Sequence, residues 1–387
     1  MKYWRGYLVA FILAAISWAL VEFAKAHAVL VDMVYPYMTR MVISALADWT
    51  GSLSFCLWQV ILLGLVTAGV ASIVLMIVLR WNPIQWFGWV MAVISCISML
   101  NMGIYDLNQY AGPLADDIRL EVADYTLAEL NAATVYFRDQ ANELSGKVKR
   151  DKNGKPNFGT FEDLAEQAAE GFKVLTYEES ISVFSGSTAP VKKLELGAGK
   201  GISGKFMPIT GEAAVNPDVP GAALPFAICK EMARRMIIYS EADSNFAAFY
   251  AGMYNSSAEF QYSAYLMAYY YCYNALESAP TSTAQTFAAT ANAGMNKLMK
   301  QDLEEVKDFF GPEKIQDSRQ EDTSENVFQD ENSIITFSSY SSVADLLTSW
   351  HIQNFVLPEH QEEEVPFNPK DPTQVDISGI VNAKPAS

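Results

Sequence analysis

The sequence predicts a mainly α-helical membrane protein, with amino-terminal transmembrane helices followed by a mostly helical domain that carries a small edge sheet. Three observations predict it. Of the 387 residues, 51% are hydrophobic, yet the formal charge is −17; the two facts fit together only if the apolar residues are clustered. The first hundred residues hold three long apolar runs, and most acids lie beyond them. In that later part apolar positions recur at helical spacing, interrupted by one glycine-punctuated stretch.

The membrane region takes residues 1–105. Its spans fall at about 7–23, 53–79 and 84–105, each near or above the roughly 20 residues that cross a bilayer. Aromatic residues near their ends suit the interface. Residues 29–49 mix apolar side chains with Asp32, Arg40 and Asp48, which reads as an amphipathic or re-entrant helix near the surface. Lys2 and Arg5 precede the first span, and Arg80 sits in the R-W-N-P turn between the second and third. Placing these cations on the cytoplasmic side sends residues 106–387 outside. A cleavable signal ending near Ala24-Lys25-Ala26 is the competing reading. It leaves two spans and the same exported domain.

Residues 106–356 form the expected domain. Segments 106–147 and 161–185 have helical spacing, separated by a charged Gly/Asn/Pro-containing loop at 147–158. Residues 191–220 carry Gly197, Gly199, Gly201 and Gly204 and read as extended structure and loops. They lack the G-K-[ST] ending of a phosphate loop. Helices are expected at 222–239, at 241–276, at 281–310 before Gly311-Pro312, and at 340–355. The second of these is rich in tyrosine, read as half-buried packing. Residues 316–331 form a polar acidic loop. Residues 357–387 form an acidic tail with no periodicity, expected to be disordered.

Composition narrows the partners. The acidic balance argues against nucleic acid, because phosphate binding relies on Lys and Arg. The bilayer is the first expected partner. Four cysteines show no zinc-ribbon or CxxC spacing and read as small buried hydrophobes, with a Cys229–Cys272 pairing left open. Three histidines in the whole chain leave little material for a histidine metal site.

The most informative string is K-E-M-A-R at 230–234, which follows L-P-F-A-I-C at 224–229. A zinc-peptidase helix carries H-E-x-x-H in such a place, with two imidazoles on one helix face and a glutamate that activates the metal-bound water. Glu231 matches that glutamate. Lys230 and Arg234 stand where the imidazoles belong. A ligand must offer a lone pair. Deprotonating Lys230 at neutral pH costs about 4.6 kcal/mol, from roughly 3.4 pKa units below its ordinary value. The Arg234 guanidinium has no usable acceptor. Taken alone, the two cations read as a solvated stripe.

Their surroundings change that reading. The strings P-I-T-G-E-A-A-V-N at 208–216, P-F-A-I-C-K-E-M-A-R at 225–234, E-A-D-S-N-F at 241–246 and the tyrosine-rich stretch 262–276 occur in order. With the segment 340–350, the chain resembles an uncharacterised family of bacterial multi-span membrane proteins with a zincin-like metallopeptidase domain. The resemblance covers most of the chain. It implies a zincin-like α+β domain outside the bacterial cytoplasmic membrane. By this resemblance the histidine ligands fall on Lys230 and Arg234, the general base on Glu231, and the third ligand on Asp243. The cleft edge falls on 206–216, with Phe206, Thr210, Glu212 and Asn216. Asp243 has a plain alternative, since Ser240 and Asp243 also make a capping-box-like helix start.

With all metal positions altered, no metal and no cofactor is expected. Charge pairs replace the metal, Lys230 and Arg234 facing Asp243 and Glu231. The expected function is that of an inactive pseudo-peptidase that binds peptides or envelope proteins. The alternatives are an active zinc metallopeptidase with an atypical site and a structural subunit of an envelope complex.

Overall fold

The computed structural model describes residues 4–122, 124–311, 334–335 and 342–356. Four apolar helices come first: α1 (Arg5–Ala26), α2 (Ala28–Gly51), α3 (Leu57–Val78) and α4 (Pro83–Ile104). All four are long and apolar enough to cross a membrane by length and composition. Thus α1, α3 and α4 cover the three expected spans, and the segment expected to be amphipathic is a continuous 24-residue helix. Helix α4 starts cleanly because the Asn82 side chain accepts from the backbone of Ile84 and Gln85 and Pro83 opens the first turn.

The rest of the chain is mostly helical. The short α5 (Leu114–Asp117) and strand β1 (Tyr125–Thr126) precede α6 (Leu127–Ser145). Only part of 106–147 is therefore helical. Thr126 and Glu129 form a capping box that fixes where α6 begins. Next come α7 (Phe161–Gln167), α8 (Ala169–Tyr177), β2 (Lys192–Lys193), β3 (Gly204–Met207) and β4 (Glu212–Val215). Helices α9 (Leu224–Arg235), α10 (Glu241–Met253), α11 (Ala258–Ser278), α12 (Ser282–Ala293) and α13 (Lys297–Phe310) follow, then β5 (Ile334–Ile335) and α14 (Val343–His351).

Two expected long helices are each broken into two, and polar side chains break them. The run 241–276 turns at Asn255, whose amide donates to the Gln167 carbonyl at 3.0 Å and whose oxygen accepts from Ser257 N at 3.0 Å. Ser257 then caps α11. The run 281–310 breaks before Asn296, whose side chain caps α13. Side chains that bind nearby backbone compete with helix continuation in this way. The expected acidic loop at 316–331, the start of the last helix at 340 and the tail at 357–387 lie outside the described residues.

Helices α6, α9, α10, α11 and α14 share one core, in which Phe137, Phe249 and Trp350 meet with ring centroids 5.2–6.0 Å apart. Tyr262, Tyr269 and Tyr270 are buried, as packing residues should be. Asp302 on α13 is buried, takes both terminal nitrogens of Arg150 at 2.7–3.0 Å and also accepts from the Tyr262 hydroxyl. Cys229 and Cys272 are separate buried thiols.

The small sheet has the order β2-β4-β3, with β2 parallel and β3 antiparallel to β4. Strand β3 is therefore an edge. It lies against α9, and its first residue has no room for a side chain. A Cβ on Gly204 would stand 2.5 Å from Cγ of Glu231.

Candidate functional site

Helix α9 presents Lys230, Glu231 and Arg234 on its last turns. The helix ends in a Schellman turn: Ile238 N donates to Ala233 O at 3.2 Å and Ile237 N to Arg234 O at 3.1 Å. Ile237 holds the left-handed position, φ 72°, where glycine is usual and a β-branched residue is strained. Arg40 of α2 closes the end by donating to Met236 O at 3.0 Å. The tight reversal brings the first turn of α10 against the last turn of α9.

Glu241 is what this reversal delivers. Its two carboxylate oxygens accept separately from Lys230 Nζ and Arg234 Nη2. Burial pushes the Glu241 carboxyl up, but Lys230 and Arg234 outweigh it and bring it down to about 2. Asn245, one turn further along α10, adds a hydrogen bond to Glu241 and accepts from the Tyr271 hydroxyl at 3.2 Å. Tyr105 at the end of α4 and Tyr239 stand beside Arg234.

Glu231 is in a different position. It is 1% exposed, and its Oε2 has no hydrogen-bond partner among the described residues. Burial pushes its carboxyl up to about 7, more than Arg234 and Lys230 pull it down. The Nε of Arg234 is likewise buried and unpartnered. Both groups line a cavity of about 700 Å³, whose walls include Gly204 of the edge strand, Glu241, Asn245 and Tyr271. The site thus offers an unpaired carboxyl poised near neutrality beside an unsatisfied guanidinium donor.

The expected partners of the two cations were Asp243 and Glu231; the residue they grip is Glu241. Asp243 sits at the third position of α10, where its backbone N–H is capped by the Ser240 hydroxyl at 2.9 Å. The residues assigned to the cleft edge divide differently from expectation. Phe206 packs on Tyr105, ring centroids 5.1 Å apart. Thr210 lies in the β3–β4 turn, its backbone carbonyl accepting from the Thr50 hydroxyl. Glu212 is buried against Lys192 and accepts from Leu57 N and Trp58 N, both at 2.8 Å, capping α3. Asn216 donates to Gly199 O and Ile202 O and so ties down the segment before β3. These four hold the sheet, and the segment 201–204 lines the cavity. Sequence reasoning missed Glu241, Asn245 and Gly204 as site residues. The signal for Glu241 was the spacing: an α–α reversal of only five residues puts the first residue of the second helix opposite the last turn of the first.

The donor set does not fit a divalent metal. Two of the three positions facing each other are cations, and the third, Glu241, already uses both oxygens to neutralise them. Among the described residues no group of three or more His, Cys, Asp or Glu side chains could hold a metal ion.

Residues 31–348 match the model of a family described as a protein of unknown function, DUF3810. The chain belongs to the DUF3810 family. The match runs from α2 to α14 and takes in the whole site. No curated protein and no solved structure matches the chain.

Proposed function

We propose that this DUF3810 chain is a pseudo-peptidase. In this reading a zincin-like scaffold is anchored in the bacterial cytoplasmic membrane, with its large domain outside, and is retained to bind peptides or envelope protein partners. The observation that carries the reading is the Lys230–Glu241–Arg234 cluster beside Glu231. By the resemblance Lys230, Glu231 and Arg234 stand at the positions of an H-E-x-x-H string, with Asp243 at the third-ligand position, and Glu241 closes the two cations into an ion cluster in a cavity bordered by an edge strand. An extended peptide can add to an exposed strand edge through its backbone. The unpaired carboxyl of Glu231 and the free Nε of Arg234 then give an acceptor and a donor to a peptide amide or carboxylate.

Two measurements test it. The purified chain is assayed for bound zinc and for cleavage of a peptide library, with Glu231→Gln alongside. Stoichiometric zinc, or cleavage lost in that variant, would make it an enzyme and end the proposal. The scaffold claim is tested by Lys230→His combined with Arg234→His. These changes restore the two imidazoles facing Glu241, so the double variant should gain zinc that the parent lacks. A folded double variant without zinc would sink the zincin-like reading.

A further inference from the structure

Helix α2 has the length and hydropathy of a membrane span, but its surroundings decide otherwise. Its neighbours α1 and α4 run parallel. At their amino-terminal ends Gly6 lies against Gly88, so closely that a Cβ on Gly6 would stand 2.4 Å from the Gly88 carbonyl carbon. Tyr7 meets Phe87 at the same level, centroids 6.4 Å apart. At their carboxyl ends Leu20, Val21 and Ala24 cluster with Met102 and Leu107. Two parallel crossings must be separated by an odd number of crossings. Helix α3 supplies one. It starts on the domain, capped by Glu212, and returns through the turn at Arg80 to α4, where Trp86 Nε1 donates to Ser72 Oγ at 3.2 Å. A crossing by α2 would make the number even.

The two ends of α2 give the same answer independently. Near its start Asp32 accepts from Gly112 N at 2.7 Å, and Tyr35 donates to the carbonyl of Gly103 at 2.8 Å. In its middle Arg40 caps α9 and Ser44 Oγ accepts from Ser187 N at 2.9 Å. At its end Asp48 accepts from the Ser187 hydroxyl and Thr50 donates to Thr210 O. A helix of 24 residues is about 36 Å long, and it stays on the domain for that whole length. Its polar side chains face protein. The same face buries Val31, Ile43 and Ala47, while the opposite face is apolar and turned away: Val29, Met33, Tyr37, Met41 and Trp49 are 60–76% exposed.

We infer that α2 does not cross the membrane: it lies in the interface of the leaflet nearest the domain, its apolar face in the acyl chains and its polar face gluing the domain to that leaflet. The occupant of the exposed face is lipid, since a face of this chemistry flanked by three crossings is at bilayer level. The chain then crosses three times, and His27 and Ser52 lie on the same side as the domain.

The test uses single cysteines at exposed positions, in the full chain with the exposed Cys96 changed to Ser. Nitroxide labels at Met33→Cys, Tyr37→Cys and Met41→Cys, in phosphatidylcholine–phosphatidylglycerol vesicles, should report one common shallow depth. Val66→Cys on α3 should lie deep. A crossing helix would instead change depth by about 12 Å between 33 and 41, at about 1.5 Å per residue. An impermeant maleimide on intact cells should label Ala26→Cys, Ser52→Cys and Lys200→Cys alike, and Trp81→Cys oppositely. A depth gradient along α2, opposite labelling of 26 and 52, or labels at 33, 37 and 41 that report bulk water would each overturn the inference.

Discussion

Glu231→Gln should stabilise this protein, and only above acidic pH. The Glu231 carboxyl is buried and pushed up from 4.5 to about 7. Between these two values the folded state binds a proton that the unfolded state has released, so rising pH destabilises the fold. The penalty is absent below pH 4.5, grows through the interval and is complete above pH 7. At about 1.4 kcal/mol per unit, a rise of roughly 2.5 units is worth about 3 kcal/mol. Glutamine keeps the shape and carries no charge to bury. The variant should therefore match the parent near pH 4.5 and exceed it by about 3 kcal/mol at pH 8. For a domain of this size that is roughly 6–12 °C in Tm.

The assay is thermal unfolding of both proteins in the same detergent, followed by tryptophan fluorescence at half-unit steps from pH 4.5 to 8.5. Curves that stay parallel over the whole range would refute the reasoning. So would a variant that is less stable at pH 8, because Glu231 would then be acting as an ionised partner of Lys230 and Arg234. A stabilising loss of this kind would show that the Glu231 carboxyl costs the fold stability at neutral pH, a pattern met at ligand-binding and other functional sites.

Glu241→Gln should do the opposite. It leaves two cations without their shared carboxylate, and a third of the Glu241 side chain is exposed, so the cost is nearer about 2 kcal/mol than the roughly 3–5 of a fully buried pair. Because its folded pKa is depressed from 4.5 to about 2, that contribution is present above pH 4.5 and fades as pH falls toward 2; Tm measured against pH shows it. Asp302→Ala should cost about 2–3 kcal/mol in denaturant unfolding, because it removes the buried carboxylate shared by the half-buried Arg150 guanidinium and the Tyr262 hydroxyl. Gly204→Ala should cost about 1–3 kcal/mol by overpacking, its new Cβ meeting Glu231 Cγ and the Ala214 carbonyl. Peptide binding to the edge strand should fall with it, read by fluorescence anisotropy of a labelled peptide against the parent.

What the sequence discloses follows from what is local. Apolar runs locate α1, α3 and α4 because span length is a property of one segment. The helix carrying K-E-M-A-R is legible for the same reason, and so is the buried tyrosine packing of α11. The breaks at Asn255 and Asn296 are not, because each depends on a polar side chain choosing between its own helix and a distant backbone carbonyl. The site is half legible. Lys230, Glu231 and Arg234 share one helix and one spacing rule, whereas their anion comes from across a turn. Asp243 was the candidate because it stood in a familiar motif position. Glu241 takes the role because the strained turn at Ile237 aims α10 so that its first residue, not its third, reaches the cations. The cleft wall at Gly204 is written as the lack of a side chain, which no pattern of charges or apolar residues reveals.

The membrane elements and the cleft are built onto the same few residues. Arg40 of α2 caps the helix that carries Lys230, Glu231 and Arg234. Tyr105, at the end of α4, packs on Phe206 of the edge strand and on Tyr239 beside Arg234. Glu212 of β4 caps α3 and leaves its neighbouring strand to form the cavity wall. The helix that carries the cations and the strands beside it are therefore fixed to three different membrane helices, and a shift of any of the three moves the cations, the edge strand or both. A domain merely tethered by a linker would show none of these contacts. With α2 in the interface as inferred, its contact with the end of α9 and that of Tyr105 with Phe206 and Tyr239 put the cavity close to the membrane surface. The peptides of the proposed function would then include chain segments that have just left the membrane. Reconstituting the protein with a single-span substrate whose juxtamembrane segment is lengthened stepwise tests this directly: binding should weaken as the segment is carried away from the bilayer, and binding indifferent to that distance would break the link between cleft and membrane.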